Sequence, residues 1–192
     1  MTRLAVLLLL GTGYLLVGVV PGVAKKKPSK PIIETFEATT VPAGEVLRFE
    51  IEEFSTDQDV QELAKAYSKG GKDAVVSALG KIEKGRSLVR LEAYPIRLVQ
   101  SASQGGTRTV FIIADATDRV AGDLGGQVVF IGHHGYPFTF VQLRMDQQGK
   151  GIGQQVPFAA ITFNKQGVID IKSVPVRSGA AIRLANVHAV SQ

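Results

Sequence analysis

The chain has no cysteine and no tryptophan among its 192 residues. Without thiols it can build no disulfide staple, zinc ribbon, thiolate nucleophile or lipid-modified N-terminal cysteine. It also lacks a surplus of charge where a nucleic acid would need one. The formal net charge is +5, but Arg3, Lys25, Lys26, Lys27 and Lys30 all precede residue 32. Setting those five aside leaves 17 cations against 17 anions over residues 32–192. A neutral domain has no field with which to gather phosphates, so no nucleic-acid partner is expected. No catalytic signature is present either. No serine lies in a Gly-x-Ser-x-Gly elbow, and no acids alternate as a calcium loop requires.

One long apolar run is present, Leu4–Val20, preceded by Arg3 and followed by Pro21-Gly22-Val23-Ala24. A cationic start, an apolar helix, a breaker and small residues at −3 and −1 describe a secretory signal cut before Lys25. The rival reading is a retained membrane anchor, although seventeen helical residues reach only about 26 Å against a hydrocarbon core of about 30 Å. The organisation expected is therefore a signal peptide or anchor over 1–24, a basic Pro/Lys linker over 25–31, and a single β-rich domain over 32–192. The expected location is the periplasm or the extracellular space, with the membrane touched only through an uncleaved Leu4–Val20.

Within the domain, Glu45–Phe54 alternates Leu47, Phe49 and Ile51 against Arg48, Glu50 and Glu52, the period of a half-buried antiparallel strand. Ser55 and Gln58 stand at capping-box spacing before Val60, Leu63, Ala64 and Tyr67, one helical stripe. Gly70-Gly71 ends that stripe, and Val75, Ala78, Leu79 and Ile82 form a second. The pattern predicts a short helical hairpin near 56–82, docked on a sheet and available to cap a barrel mouth. From Arg86 onward the chain reads as strands: Ser87–Ala93, Ile96–Ser101, Arg108–Ala114, Phe138–Asp146, Val156–Asn164, Val168–Val174 and Ala181–Val190. With an early strand near Thr35–Val41, the fold class is mainly β (α+β). It is an antiparallel barrel or sandwich of eight or nine strands with one inserted helical hairpin. Arg108–Ala114 is apolar on both faces, as a strand covered by the helices would be.

Two glycine-bearing stretches imitate nucleotide motifs. Gly80–Ser87 departs from a phosphate loop in having Arg86 where lysine is needed, with a helix before and a strand after. It reads as a helix-to-strand turn. Gly149-Lys150-Gly151-Ile152-Gly153 has no helix after it and reads as a hairpin turn.

The connection Asp115–Pro137 is long for a compact domain and carries the candidate site: Asp115, Asp118, Arg119, His133, His134 and Tyr136. His133 and His134 are adjacent, so in extended chain they point to opposite sides and do not share an ion. His188 is the only other histidine. The aspartates fit turn and side-chain-to-backbone bonding. No catalytic, cofactor-binding or metal residue is assigned and no cofactor is expected.

Five ordered blocks resemble a group of uncharacterised exported bacterial proteins of similar length: Phe54-Ser55-Thr56-Asp57, Gly70–Leu79, Asp115-Ala116-Thr117-Asp118-Arg119, Tyr136-Pro137-Phe138-Thr139 and Arg183-Leu184-Ala185-Asn186-Val187. The resemblance spans roughly residues 45–190 and departs at Phe54, where that group often has tryptophan. It implies export and one domain; the group has no assigned activity, so no functional residue is carried over. The function expected is an exported, non-enzymatic β-domain that binds a small apolar ligand or a protein partner. The alternatives are a hydrolytic or metal-dependent enzyme using the 115–137 loop, and a membrane-anchored envelope scaffold component.

Overall fold

The computed structural model describes residues 30–116, 137–164, 167–173 and 181–190. Leu4–Val20 and most of the basic linker therefore lie outside the described residues.

Eight antiparallel strands close into a barrel in the order β1-β10-β7-β6-β5-β4-β3-β2. They are β1 (Glu34–Val41), β2 (Val46–Ile51), β3 (Gly85–Val89), β4 (Glu92–Gln104), β5 (Thr107–Asp115), β6 (Phe138–Met145), β7 (Lys150–Val156) and β10 (Ile182–Ala189). Two more, β8 (Ala159–Phe163) and β9 (Ile169–Ser173), form a separate hairpin. Of the two architectures the alternating pattern allowed, the barrel is the one adopted. Closure pairs every barrel strand on both sides, so none of the eight is left as a sheet edge.

The alternation read from Leu47, Phe49 and Ile51 places those side chains inside. They pack with Phe36, Ile96, Val99, Val110, Ile112, Val141, Leu143, Met145, Leu184 and Val187. An eight-stranded barrel is just wide enough for its own side chains to fill, and these fill it. Strand β5 is apolar on both faces, as expected: Val110, Ile112 and Ala114 face inward, while Ile113 joins a second cluster outside. That outer cluster holds Leu63, Val75 and Leu79 of α1 (Asp57–Leu79) against Leu98, Ile113 and Phe138, together with Ile161 and Phe163 of β8. The helices thus lie along the side wall at β4–β5–β6. They do not cap the mouth, because their apolar stripes find complementary apolar residues on the outer face of those strands.

Helix α1 is two helical segments meeting at Gly70-Gly71, where Gly71 takes φ 62°, ψ −148°. Its capping box is Thr56 with Asp59, one residue beyond the expected Ser55–Gln58 pair. Ser55 is occupied elsewhere: its N–H donates to Val99 O (2.7 Å) and its Oγ accepts from Val99 N (3.0 Å).

Three further expectations shift. Ser87–Ala93 is not one strand; it turns at Arg90-Leu91, Arg90 having φ 57°. Tyr94-Pro95, expected as a break, lies inside β4. Pro95 pairs with Arg86 on β3, and β4 begins to pair with β5 only at Ile96, so the missing N–H costs no bond on that second side. Val156–Asn164 is likewise split, at Pro157-Phe158, into the end of β7 and β8.

Beyond these three, the expectation for Gly149–Gly153 also shifts. Only Gly149 belongs to the turn, with φ 73°. Gly151 and Gly153 are inward positions of β7, opposite Met145 and Leu143 on β6. A Cβ on Gly151 would lie 1.7 Å from Arg144 O, and one on Gly153 would lie 2.5 Å from Gln142 O. These glycines are therefore strand residues that let neighbouring backbones approach.

Candidate functional site

Of the six candidate loop residues, Asp115 is described; Asp118, Arg119, His133, His134 and Tyr136 lie outside the described residues. Asp115 ends β5 and is held by Arg97 on β4 through two bonds, Nε to Oδ1 (2.8 Å) and Nη2 to Oδ2 (2.6 Å). The same guanidinium donates through Nη1 to Ile82 O (2.8 Å) and Gly80 O (3.2 Å), just past the helix C-terminus. The hydrogen bonds that Arg97 donates to Asp115 hold its guanidinium more firmly protonated, against the opposing effect of burial. Ala116 N donates to Pro137 O (2.7 Å), so the chain leaves β5 and returns to β6 at one place. Asp115 is a joint between helix, strand and loop root.

A second charged joint ties α1 to the barrel. Lys84, nearly buried, donates to Glu53 Oε1 (2.7 Å) and lies 3.1 Å from Asp59 Oδ2. Glu53 also accepts from Lys30. Hydrogen bonds from Lys30 and then Lys84 hold the Glu53 carboxyl below its usual range. Burial raises Asp59, but the Thr56 N–H and hydroxyl together with Lys84 outweigh it and the net direction is down. Burial pushes Lys84 down, yet its two carboxylate partners prevail and raise it. Lys84 is accordingly an ammonium with a positioning role, not a neutral amine nucleophile.

One barrel end is closed. Arg108 is an inward position of β5, opposite Met145, and reaches Glu34 of β1 through Nη1–Oε1 (2.6 Å) and Nη2–Oε2 (2.8 Å). Its guanidinium carbon stands 5.4 Å from the Phe36 ring centre and 5.8 Å from that of Phe54. Phe54 packs on the interior cluster from the segment that leaves β2.

The outer wall of β1, β2 and β3 carries the remaining candidate. Register sets Glu37 beside Arg48 and Arg48 beside Leu88; one same-face step away, Glu50 stands beside Arg86. Arg48 bonds Glu37 (3.2 Å) and Glu50 (3.2 Å), while Arg86 bonds Glu50 (2.5 Å) and Arg90 bonds Glu45 (2.6 Å). The exposures are unequal. Arg48, Arg86 and Arg90 side chains are 42%, 49% and 57% exposed, against 29%, 8% and 21% for Glu37, Glu50 and Glu45. The carboxylates are sunk and the guanidiniums overlie them. A groove of about 530 Å³ runs along this wall, lined by Glu37, Glu45, Val46, Arg48, Leu88 and Arg90.

The sequence pattern already placed Arg48 and Glu50 on a charged outward face, but Glu50 is nearly buried beneath its two arginines. Arg86 entered only as a departure from a phosphate loop, and Leu88 and Arg90 were not singled out. Their signal is the alternation Arg86-x-Leu88 followed by Arg90, which becomes visible once β3 is ended at Val89. Among the described residues no group of three or more His, Asp or Glu side chains could hold a metal ion. No family model, curated protein or solved structure matches the chain.

Proposed function

We propose that this chain is an exported, non-enzymatic β-barrel domain that works by binding a protein partner on its outer wall. The observation carrying this reading is the filled interior. Phe36, Phe49, Ile51, Ile96, Ile112 and Leu143 are each at most 1% exposed, and Arg108, Glu34 and Phe54 close one end. Eight-stranded barrels that hold a small molecule keep part of their interior for it. The charged joints at Lys84 and Arg97 support the same reading, since both use their donors on the fold itself. Export is supported by the order of Arg3, Leu4–Val20 and Gly22-Val23-Ala24.

Fractionation with N-terminal sequencing tests export: the expected result is a soluble mature chain beginning at Lys25. A full-length chain in the membrane fraction would replace this reading with an anchored one. Native mass spectrometry of the mature chain, purified from its own host away from other proteins, tests whether the barrel interior holds a ligand. The expected mass is that of the polypeptide alone, and a stoichiometric small molecule released on unfolding would move the site inside the barrel.

A further inference from the structure

We infer that the groove on the outer wall of β2 and β3 takes an extended acidic segment of a partner protein. The segment places an apolar side chain over Leu88 and acids toward Arg86 and Arg90. This rests on the partner-binding reading above and names the chemistry of the partner.

Three observations converge. First, Arg86 and Leu88 share the outer face of β3, opposite Glu50 and Arg48 of β2, and Arg90 follows directly after the strand, where it bonds Glu45 and lines the groove with Val46 and Leu88. Arg86 and Leu88, two apart in β3, are separated by about 7 Å, the spacing between alternate residues of an extended peptide. Second, Arg86 and Arg90 bind their carboxylates through Nε. Among the described residues no further bond of their Nη groups is seen, and both side chains are about half exposed, which leaves guanidinium donors open to a ligand. Such planar donors match carboxylate geometry, which a lysine would not do. Third, two apolar side chains line the groove beside Arg48 and Arg90: Val46, 56% exposed, and Leu88, with Arg86 one same-face step beyond Leu88. A purely ionic ligand would leave these two side chains wet, whereas an alternating acid-x-apolar-x-acid segment covers them. Because the sunken glutamates cancel the arginines at long range, recognition here is by short-range hydrogen bonding and burial, without strong electrostatic steering.

The test uses two five-residue capped peptides, each with valine at its third position. One has glutamate at the first and fifth positions, the other lysine there. The mature chain is titrated with each, and amide shifts in ¹⁵N-labelled protein are followed. The acidic peptide is expected to shift Val46, Arg48 and Arg86–Arg90, and the basic one is not. Leu88→Glu sets a carboxylate directly opposite Arg48 on the groove wall and is expected to weaken the acidic peptide at least about tenfold. Leu88→Lys is expected to tighten it, and Arg86→Gln with Arg90→Gln to abolish the difference between peptides. Circular dichroism and melting curves confirm that each variant is folded. Absence of saturable shifts, or equal binding of both peptides, overturns the inference. So does binding to vesicles containing anionic lipid with no response to the acidic peptide. These readouts do not depend on export, so failure here and failure of the fractionation experiment are separate results.

Discussion

Arg108 on β5 and Glu34 on β1 meet across the diameter of the barrel. Their strands are four apart whichever way the ring is followed, and the two side chains share two hydrogen bonds of 2.6 and 2.8 Å. Paired strands hold each other through backbone ladders; this pair instead ties opposite walls. The Phe36 and Phe54 rings take the guanidinium between them, which ties the segment after β2 to the same point.

Removing either partner should therefore cost more than a surface pair does. Arg108→Ala is expected to destabilise by about 2–3 kcal/mol, combining a lost paired charge with two lost ring contacts. Glu34→Gln should cost about 1–2 kcal/mol, and the double variant less than the sum. Urea unfolding of the four proteins measures the coupling; a value near zero would mean the pair ties nothing. Phe54→Trp supplies the chain's sole tryptophan as a reporter, and its emission is expected to shift to the red on unfolding.

The Lys84 joint predicts an asymmetric pH profile. Glu53 and Asp59 have folded-state values below their unfolded ones, so their contribution is present above the unfolded values. It is lost as pH falls below about 4 and through the lowered folded values. Lys84 is raised, so its contribution is present below its unfolded value near pH 10.4 and lost as pH rises through the higher folded one. Stability should be flat between these limits as far as this joint is concerned. Lys84→Met is expected to lower stability at pH 7 and flatten the acid limb, read from urea midpoints between pH 2.5 and 7. An acid limb of unchanged slope would assign acid sensitivity elsewhere.

Asp115 is expected to behave as a structural residue. Asp115→Asn leaves the Arg97 guanidinium, mostly buried, without its carboxylate, at a cost of about 1–3 kcal/mol. Hydrogen exchange should accelerate first at the C-terminal turn of α1, because Arg97 also holds Gly80 O and Ile82 O. Acidic-peptide binding at Arg86 and Arg90 should be unchanged. A loss of binding at full stability would contradict the separation of joint and groove.

Much of this fold was legible in the residues. Period two in Leu47–Ile51, the stripes on either side of Gly70-Gly71 and the two apolar faces of Arg108–Ala114 all describe local burial, which periodicity reports. Three features were not. The Arg90-Leu91 turn carries no glycine, proline or asparagine, so its hairpin left no turn signature. Pro95 reads as a break because sequence does not reveal which side of a strand lacks a partner. The wall at Arg48, Arg86 and Arg90 depends on register between strands more than thirty residues apart, and alternation within one strand carries no register. The six-residue loop site rested on connection length and on the glycines and adjacent histidines it carries, and only Asp115 of it falls among the described residues, where it meets Arg97.

Strand β7 yields the sharpest stability test, because its glycines differ in why they are needed. At Gly151 an alanine methyl would sit 1.7 Å from Arg144 O, a backbone atom held in the β6–β7 ladder, so relief requires the strands to part. Gly151→Ala is expected to cost about 3 kcal/mol or more and to leave little folded protein. At Gly153 the nearest atom is Gln142 O at 2.5 Å, with Leu143 Cδ2 at 3.1 Å, so part of the clash falls on a movable side chain and the cost should be smaller, about 2 kcal/mol. Gly105 has open space and φ 57°, so Gly105→Ala pays only for backbone conformation, about 1 kcal/mol, and Gly105→Asn less. The expected order of melting temperatures is Gly105→Asn, Gly105→Ala, Gly153→Ala, Gly151→Ala. If Gly151→Ala melted with the native chain, Gly149–Gly153 would be a turn after all and β7 would not complete the ring between β6 and β10.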